Sequence, residues 1–194
     1  MPSNKGLERP HSVETHGDLS FLRMQQAEDV LEVGELYMSA FPEDERRSLL
    51  GMGKMLMRED TSFWKIYREG DFVGFINTWE LPSVVYGEHL AVRPSLRGHK
   101  IGTHVIEWLL GRSLRPFIFE VEPPTTEMAR RRIAFYERNG LGVVAREYLQ
   151  PPYSRTQHSL PMYLMSSHTN LGHQGVRQAV HEMHSIVYGV GDER

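Results

Sequence analysis

The chain of 194 residues contains no cysteine. That absence excludes disulfide bonds, thiolate metal sites and a cysteine nucleophile, although it fits a reducing and an oxidising compartment equally well. Long apolar runs are missing too, since no stretch approaches the ~20 consecutive apolar residues of a membrane span. The N-terminus MPSNKGLERPHSVETHGDLS also has no apolar segment of the kind that signal peptides contain. We therefore expect a soluble protein located in the cytoplasm.

An excess of charge of one sign is the third absence. The 22 Lys and Arg residues nearly balance the 25 Asp and Glu residues, which gives a formal net charge of -3. Such a chain has no global field that would attract nucleic acid or anionic lipid. The basic run Arg130–Arg132 is typical of a solvated helix face. We expect neither a nucleic-acid nor a membrane partner.

The sequence does contain alternating strand-like and helical patterns, with enough apolar residues for one full core. We predict a flexible leader over residues 1–18, one domain over residues 19–166, and a tail over residues 167–194 that carries a docking helix. Within the domain, the pattern is one strand, two helices, three strands, helix, strand, helix and two strands. The second helix is expected over residues 42–57. A lone strand followed by helices and then an antiparallel group predicts a mixed sheet.

The stretch EHLAVRPSLRGHKIGTHVIEWLL changes from strand-like to helical spacing through two glycines. Backbone N–H groups of residues 99–103 would then be free donors at the positive end of a helix, which suits a pyrophosphate. Gly98 and Gly102 allow close approach, while Arg97 and Lys100 supply positive charge. The glycine spacing matches neither a nucleotide P-loop nor a dinucleotide-binding fingerprint. An ordinary turn between a strand and a helix remains the alternative.

This stretch resembles motif A of the GNAT superfamily of acyl-CoA-dependent N-acyltransferases, whose signature is Arg or Gln, two residues, Gly, one residue, then Gly or Ala. Arg97 and Gly102 match the two ends of the signature, and Lys100 stands where a glycine is usual. The stretch RRRIAFYERNGL is similar to motif B, although Ala129 stands where an asparagine is common. The resemblance extends over residues 19–166. It implies an α/β (α+β) fold: a mixed, mostly antiparallel central sheet of about seven strands flanked by helices, here with an extra C-terminal helix.

The resemblance also implies a reaction, in which acetyl-CoA donates an acetyl group directly to an amine within a ternary complex. A protonated amine cannot attack, so such a site needs a base and also donors for the oxyanion. By the resemblance, a main-chain segment at the end of the strand binds the pantetheine arm and the loop binds the phosphates. The positions assigned to acetyl-CoA in this way are Leu90, Ala91, Val92, Arg97, Gly98, His99, Lys100, Ile101, Gly102 and Thr103.

Glu88 is the predicted base. Strand alternation places Glu88 on one face with Tyr86 and Leu90, so a carboxylate interrupts an apolar series just before the loop. In the family, acidic residues at this location relay the proton of the amine. A glutamate at a solvated strand edge is the alternative. His89 also competes, because its ordinary pKa suits a base at neutral pH, but regular alternation turns it to the opposite face unless a bulge intervenes.

Tyr136 matches the tyrosine of motif B, whose phenol donates to the departing thiolate; a core aromatic is the alternative. Acceptor specificity in the family comes from the first two helices and from the loop between the last two strands. Glu45 and Tyr153 are the candidates there, although acids at a helix start also stabilise the helix. His181 and His184 lie three apart without a third ligand, so no metal site is predicted.

The sequence leaves two functions open. The first is an acetyl-CoA-dependent N-acetyltransferase acting on a primary amine of a small molecule or a peptide. The second is a module of the same fold that binds acyl-CoA as a sensor without turnover. A candidate base and a candidate thiolate donor, Glu88 and Tyr136, favour the enzyme, because a sensor needs neither. A homodimer is a further open possibility.

Overall fold

The computed structural model describes residues 12–190, which form one eight-stranded sheet with five α-helices. The strands are β1 (Val13–His16), β2 (Leu19–Arg23), β3 (Thr61–Arg68), β4 (Asp71–Glu80), β5 (Val85–Val92), β6 (Phe117–Val121), β7 (Gly142–Gln150) and β8 (Leu160–Ser166). The helices are α1 (Ala27–Ala40), α2 (Leu49–Met55), α3 (Ile101–Leu110), α4 (Glu127–Arg138) and α5 (Gly172–Glu182).

The strands follow the order β1-β2-β3-β4-β5-β6-β8-β7 across the sheet. The β5–β6 pair is parallel, and the other neighbours within the described residues are antiparallel. The predicted mixed, mostly antiparallel sheet with a C-terminal helix is therefore confirmed, with eight strands where we expected about seven. No helix within residues 12–190 is long and apolar enough to cross a membrane.

The additional strand lies inside the predicted leader. Val13–His16 pair with β2 in an antiparallel register, and the indole Nε1 of Trp108 on α3 donates to Glu14 over 3.2 Å. The prediction of a flexible segment up to residue 18 was therefore wrong for these residues, and residues 1–11 lie outside the described part. The strand has no clear apolar alternation, so its main-chain pairing and its contacts to α3 are what hold it in place.

The two faces of the sheet carry different helices. Alternation along β3 sends Phe63 into the cluster beneath α1 and α2, and Trp64 into the cluster beneath α3 and α4. Alternation along β6 separates Ile118, which packs with α5, from Phe119, which packs with α3 and α4. Helices α1, α2 and α5 therefore share one face of the sheet, and α3 and α4 cover the other.

The C-terminal helix packs on the sheet, as its apolar spacing predicted. Ala179, Met183 and Val187 are buried in one cluster with Trp79 and Tyr86. After α5 the chain continues through a π-helical turn over Met183–Val187. Residues 172–187 of the predicted tail thus pack on the face that also carries α1 and α2.

The segment after Pro42 is less regular than the single helix that we predicted. Residues 43–45 form one 3₁₀ turn, and α2 begins only after Ser48, whose hydroxyl caps it by accepting from the Gly51 N–H over 3.0 Å. Serine is a favoured N-cap residue, so a new helix begins after Ser48, and the single helix that the acidic start suggested does not form. The extended backbone between the two pieces brings Arg47 to the sheet.

β5 and β6 separate after a short parallel pairing. The register joins Val85 to Phe117 and Gly87 to Phe119, and no further pair follows within the described residues. A Cβ on Gly87 would lie 2.1 Å from the Phe119 ring, so only glycine allows the ring to lie at this point. Beyond Gly87, the two strands form the sides of a split that opens toward the N-terminus of α3.

The close contact at the start of the split gives a stability prediction. Gly87→Ala should lower the free energy of unfolding by about 1–3 kcal/mol, because the new Cβ overlaps the Phe119 ring. Urea denaturation measures the change. Gly53→Ala in α2 is the matched control, since its Cβ would lie an ordinary 4.0 Å from Val30. Equal stability of Gly87→Ala and the wild type would contradict the packing described here.

Candidate active site

A bulge in β5 determines which side chains face the split. Asn77 of β4 is opposite His89, whereas Thr78 is opposite Gly87, so Glu88 is the extra residue of β5. The bulge puts Glu88 and His89 on the same face, toward α1 and α2, and Leu90 on the face of α3. The prediction that Glu88 and Leu90 share a face was therefore wrong. The bulge that brings His89 to the face of Glu88 is present.

Glu88 is held as an ion-pair partner. Its side chain is 1% exposed, and its carboxylate accepts from Arg47 Nε over 2.9 Å and from Trp79 Nε1 over 3.0 Å. Burial alone would raise the pKa of Glu88, but the Arg47 guanidinium, together with His89 and the Trp79 indole, outweighs burial and lowers the pKa to about 2. A carboxylate with that pKa is a weak base at neutral pH. The predicted role of Glu88 as the base therefore does not fit its environment.

His89 is fixed beside Glu88. Its Nε2 lies 2.9 Å from the carbonyl oxygen of Glu45, and its ring packs edge-on against Tyr37 and Phe41. Nδ1 has no hydrogen-bond partner among residues 12–190 and lies 3.7 Å from a Glu88 oxygen. The imidazole thus connects the turn that carries Glu45 to the bulge in β5.

Glu120 of β6 lies across the split and has a different environment. It accepts from the phenols of Tyr86 over 2.8 Å, Tyr148 over 2.6 Å and Tyr188 over 2.9 Å. Burial raises the pKa of Glu120 to about 7, although the three phenols favour the ionised form and oppose that rise. A carboxyl group that titrates near neutral pH suits a general base.

The sequence analysis did not assign Glu120 a role. Strand alternation in FIFEVE places Ile118 and Glu120 on one face, so a carboxylate follows an apolar residue on that face. The same kind of signal was used for Glu88. The three tyrosines could not be found in that way, because they come from β5, β7 and the segment after α5. Only the fold brings them to one carboxylate.

The predicted acceptor residues Glu45 and Tyr153 both lie near His89. The Tyr153 ring lies 4.6 Å from the Arg47 guanidinium carbon and 6.0 Å from the His89 ring. Burial, reinforced by the negative charge of Glu122, raises the pKa of Glu45. The loops that carry Glu45 and Tyr153 are tied together, because Gln157 Nε2 donates to the carbonyls of Glu43 and Arg46.

The loop before α3 has the geometry of an anion site. Helix α3 begins at Ile101, so the first N–H groups of the helix, over residues 101–103, have no acceptor within it. Arg97, His99 and Lys100 are exposed beside these groups. Gly98 has φ +87° and Lys100 has φ +61°, so both residues adopt the left-handed conformation. The residue in the position that is usually glycine in motif A therefore adopts a conformation that glycine favours.

Gly102 serves the packing of two helices. A Cβ at this position would lie 3.0 Å from the Phe135 ring of α4, so glycine allows α3 and α4 to approach closely. Next to Phe135, Tyr136 stacks on Phe119 with ring centroids 5.0 Å apart. Burial raises the pKa of Tyr136 to about 12, so the phenol stays protonated at neutral pH and remains a proton donor.

The segment Leu90–Val92 lies beyond the last pair that joins β5 to β6. It pairs on its other side with β4, where Ala91 is opposite Phe75. Main-chain groups that face the split therefore have no strand partner among the described residues, as a ligand that adds to the edge of a strand requires. The side chains of Leu90 and Val92 pack on the α3 face.

A groove lies outside this region. A groove of about 320 Å³ runs between α1 and the residues after β5, where it is lined by Glu32, Glu35, Leu36, Ser39, Phe72, Arg93, Pro94 and Ser95. It shares no residue with the groups around Glu88 and Glu120. Among residues 12–190, no three His, Asp or Glu side chains come together in a way that would hold a metal ion.

The arrangement matches one known family. The profile of the acetyltransferase (GNAT) family matches residues 30–141, more than half of the chain, from α1 to just beyond α4. The chain belongs to the GNAT family. The match includes both sides of the split and the loop before α3.

Solved structures of GNAT proteins resemble this chain. A GNAT-family protein from Bacteroides thetaiotaomicron is 36% identical with a TM-score of 0.79, over 88% of this chain and 98% of that chain. PaiA N-acetyltransferase from Thermoplasma acidophilum in complex with coenzyme A is 16% identical with a TM-score of 0.56, over 77% and 98%. Arabidopsis thaliana Naa50 in complex with the bisubstrate analogue CoA-Ac-MVNAL is 19% identical with a TM-score of 0.54, also over 77% and 98%. No curated protein gave a significant match.

The ion pair of Glu88 in this GNAT protein gives a pH prediction. Because its pKa is lower than the ordinary 4.5, ionised Glu88 stabilises the folded state above that value, and this contribution disappears as the pH falls toward 2. The contribution is about 3 kcal/mol. In Glu88→Gln this component of acid destabilisation should be absent when the free energy of unfolding is measured from pH 6 to pH 2.

The control for this measurement is Glu137→Gln, which changes an exposed glutamate of α4. It should retain the pH dependence of the wild type. The same acid dependence in Glu88→Gln and the wild type would show that the Arg47 pair does not hold the Glu88 carboxylate in its ionised form.

Proposed function

We propose that this GNAT protein is an acetyl-CoA-dependent N-acetyltransferase that transfers an acetyl group directly to a primary amine of a small molecule or a peptide. The observation that carries the proposal is the position of Glu120: a partly buried carboxyl group with a pKa near 7 lies at the split, on β6 opposite the free edge of β5. The family alone suggests the donor. The carboxyl group adds the base that the chemistry needs.

Acetyl-CoA fits the groups that border the split. The free N–H groups at the start of α3 and the charges of Arg97 and Lys100 suit its phosphates, and the open edge of Leu90–Val92 suits its pantetheine arm. When bound, it supplies an acetyl thioester with a good leaving group. A main-chain N–H of β5 would stabilise the oxyanion as the amine adds to the carbonyl carbon.

Glu120 accepts a proton from the attacking amine, which then forms the bond to the acetyl carbon. The bond from that carbon to sulfur breaks as the phenol of Tyr136 donates its proton to the departing sulfur, and the phenolate regains a proton from the acetylated nitrogen, so the products are the amide and the CoA thiol. Glu88 remains ionised throughout, because Arg47 holds it as a carboxylate. Its role in this proposal is to keep Arg47 beside Tyr153 on the acceptor side.

The acceptor side carries more negative than positive charge. Glu45, Glu88 and Glu120 lie there with Arg47, a balance that favours a cationic amine. The bisubstrate analogue in the Naa50 structure contains a peptide, and that fact concerns Naa50. For this chain both a small amine and a peptide amine remain within the proposal.

The second function, a sensor that binds acyl-CoA without turnover, would use the same phosphate site. One observation favours it: the side chains of Glu88 and His89 are only 1–2% exposed beneath the loops of Glu45 and Tyr153, so the acceptor side is covered. Turnover requires an amine to pass the loops of Glu45 and Tyr153 and reach the split. The two functions therefore differ in acceptor entry, and the assay below separates them.

The test of the proposed function combines binding with turnover. Calorimetric titration should detect acetyl-CoA binding. In a panel of primary amines, the rate of CoA thiol release should rise with the concentration of an accepted amine. Because the protein has no cysteine, its own thiols add no background to this assay. Glu120→Gln should lower kcat by about 10²–10⁴-fold with similar acetyl-CoA affinity. Glu137→Gln serves as control. Binding without release on every amine would support the sensor, and no binding would contradict both functions.

Arg97→Ala tests the phosphate site separately. The substitution removes one exposed cation beside the α3 N-terminus, so acetyl-CoA affinity should fall about 3–10-fold while kcat at saturation changes little. Arg138→Ala, which removes an exposed arginine at the C-terminal end of α4, should leave affinity unchanged. Equal affinity of Arg97→Ala and the wild type would show that the phosphates bind elsewhere.

A further inference from the structure

The segment that follows α5 reaches the acceptor side of the split. The π-helical turn Met183–Val187 buries Met183 and Val187 against the sheet and ends at Tyr188. This segment lies well beyond residue 141, where the match to the GNAT profile ends. The matched range therefore includes Glu120 and Tyr86, which Tyr188 contacts, but not Tyr188 itself.

The hydroxyl of Tyr188 joins three elements. It donates to Glu120 Oε2 over 2.9 Å, and it lies 2.9 Å from the hydroxyl of Tyr86 on β5. It also lies 3.4 Å from the hydroxyl of Tyr153 in the loop between β7 and β8. Glu120 thus receives one of its phenols from the C-terminal segment.

The same segment also holds the other carboxylate of the split. Arg47 Nη2 donates to the carbonyl oxygen of Val187 over 2.7 Å, while its Nε donates to Glu88 over 2.9 Å. Two consecutive residues, Val187 and Tyr188, therefore support both acidic groups, one through Arg47 and one directly. Simple packing of a helix on a sheet would not require these polar contacts.

We propose that Tyr188 is a positioning residue for Glu120, and that the C-terminal segment is thereby part of the acceptor site. The hydroxyl holds the carboxyl group in place and stabilises its ionised form, which is the form that accepts a proton from the amine. This inference rests on the proposed role of Glu120 as the base.

The groups that face Glu120 determine the expected direction of change. Tyr86 and Glu88 face it from β5, Tyr148 from β7 and Tyr188 from the C-terminal segment. Burial and the negative charge of Glu88 oppose ionisation, while the three phenols favour it. Removing one phenol leaves the ionised form with fewer donors, so Glu120 should then lose its proton only at higher pH.

Tyr188→Phe removes the hydroxyl and keeps the ring. The acidic limb of the pH profile of kcat/KM should move up by about one pH unit, which corresponds to about 1.4 kcal/mol, because the ionised carboxylate loses one of its three phenol donors. The rate at pH 7 should fall about fivefold and approach that of the wild type above pH 9. Tyr148→Phe should shift the limb in the same direction.

The matched control is Tyr67→Phe. It removes a hydroxyl that also donates to a glutamate, Glu32, over 2.5 Å, but on β3 and away from the split. The acidic limb should stay in place. A similar shift in this control would contradict a specific role for Tyr188.

An infrared titration reads the same group without turnover. The carbonyl stretch of protonated Glu120, identified by its loss in Glu120→Gln, should have a higher pH midpoint in Tyr188→Phe than in the wild type. A raised midpoint in a protein that acetylates no amine would support the contact and refute the proposed function. An unchanged midpoint would overturn the inference, as would a rate loss that is uniform across the pH range.

Discussion

The separation of β5 from β6 is the constraint on which the candidate site depends. The two strands pair in parallel only up to Gly87, where the Phe119 ring takes the space that a Cβ would need. Parallel strands need a crossover connection, which is usually a helix, and here α3 is the helix in the connection from β5 to β6. Its N-terminus, the open edge of Leu90–Val92 and the carboxyl group of Glu120 therefore border one split.

Two carboxylates on this face, Glu88 and Glu120, show how the environment moves the pKa values of similar groups apart. Glu88 lies beside a guanidinium and has a pKa near 2, whereas Glu120 has only neutral phenols as donors and a pKa near 7. At Glu88 the charge of Arg47, together with His89 and the Trp79 indole, outweighs burial, whereas at Glu120 three hydroxyl groups do not. The ion pair with Arg47 thus keeps Glu88 ionised. Glu120 has no such partner among its hydrogen-bond donors, so it can gain and lose a proton near neutral pH.

Local patterns in the sequence were sufficient for the family, the order of elements and the loop before α3, because glycine spacing and apolar periodicity are local signals. They were insufficient at Glu88, where a bulge of one residue changed the face of the side chains that follow. They also missed β1, which is held mainly by pairing with β2. The contacts of Glu120 with Tyr148 and Tyr188 arise from residues far apart in the chain, so no local pattern could predict them.

The central claim is that the split receives the acyl donor, and amide NMR tests it most directly. Titration of ¹⁵N-labelled protein with acetyl-CoA should shift the amide signals of Leu90–Val92 and of residues 98–103 most strongly. Shifts confined instead to the groove lined by Phe72 and Arg93 would contradict the account, because the donor would then bind outside the split.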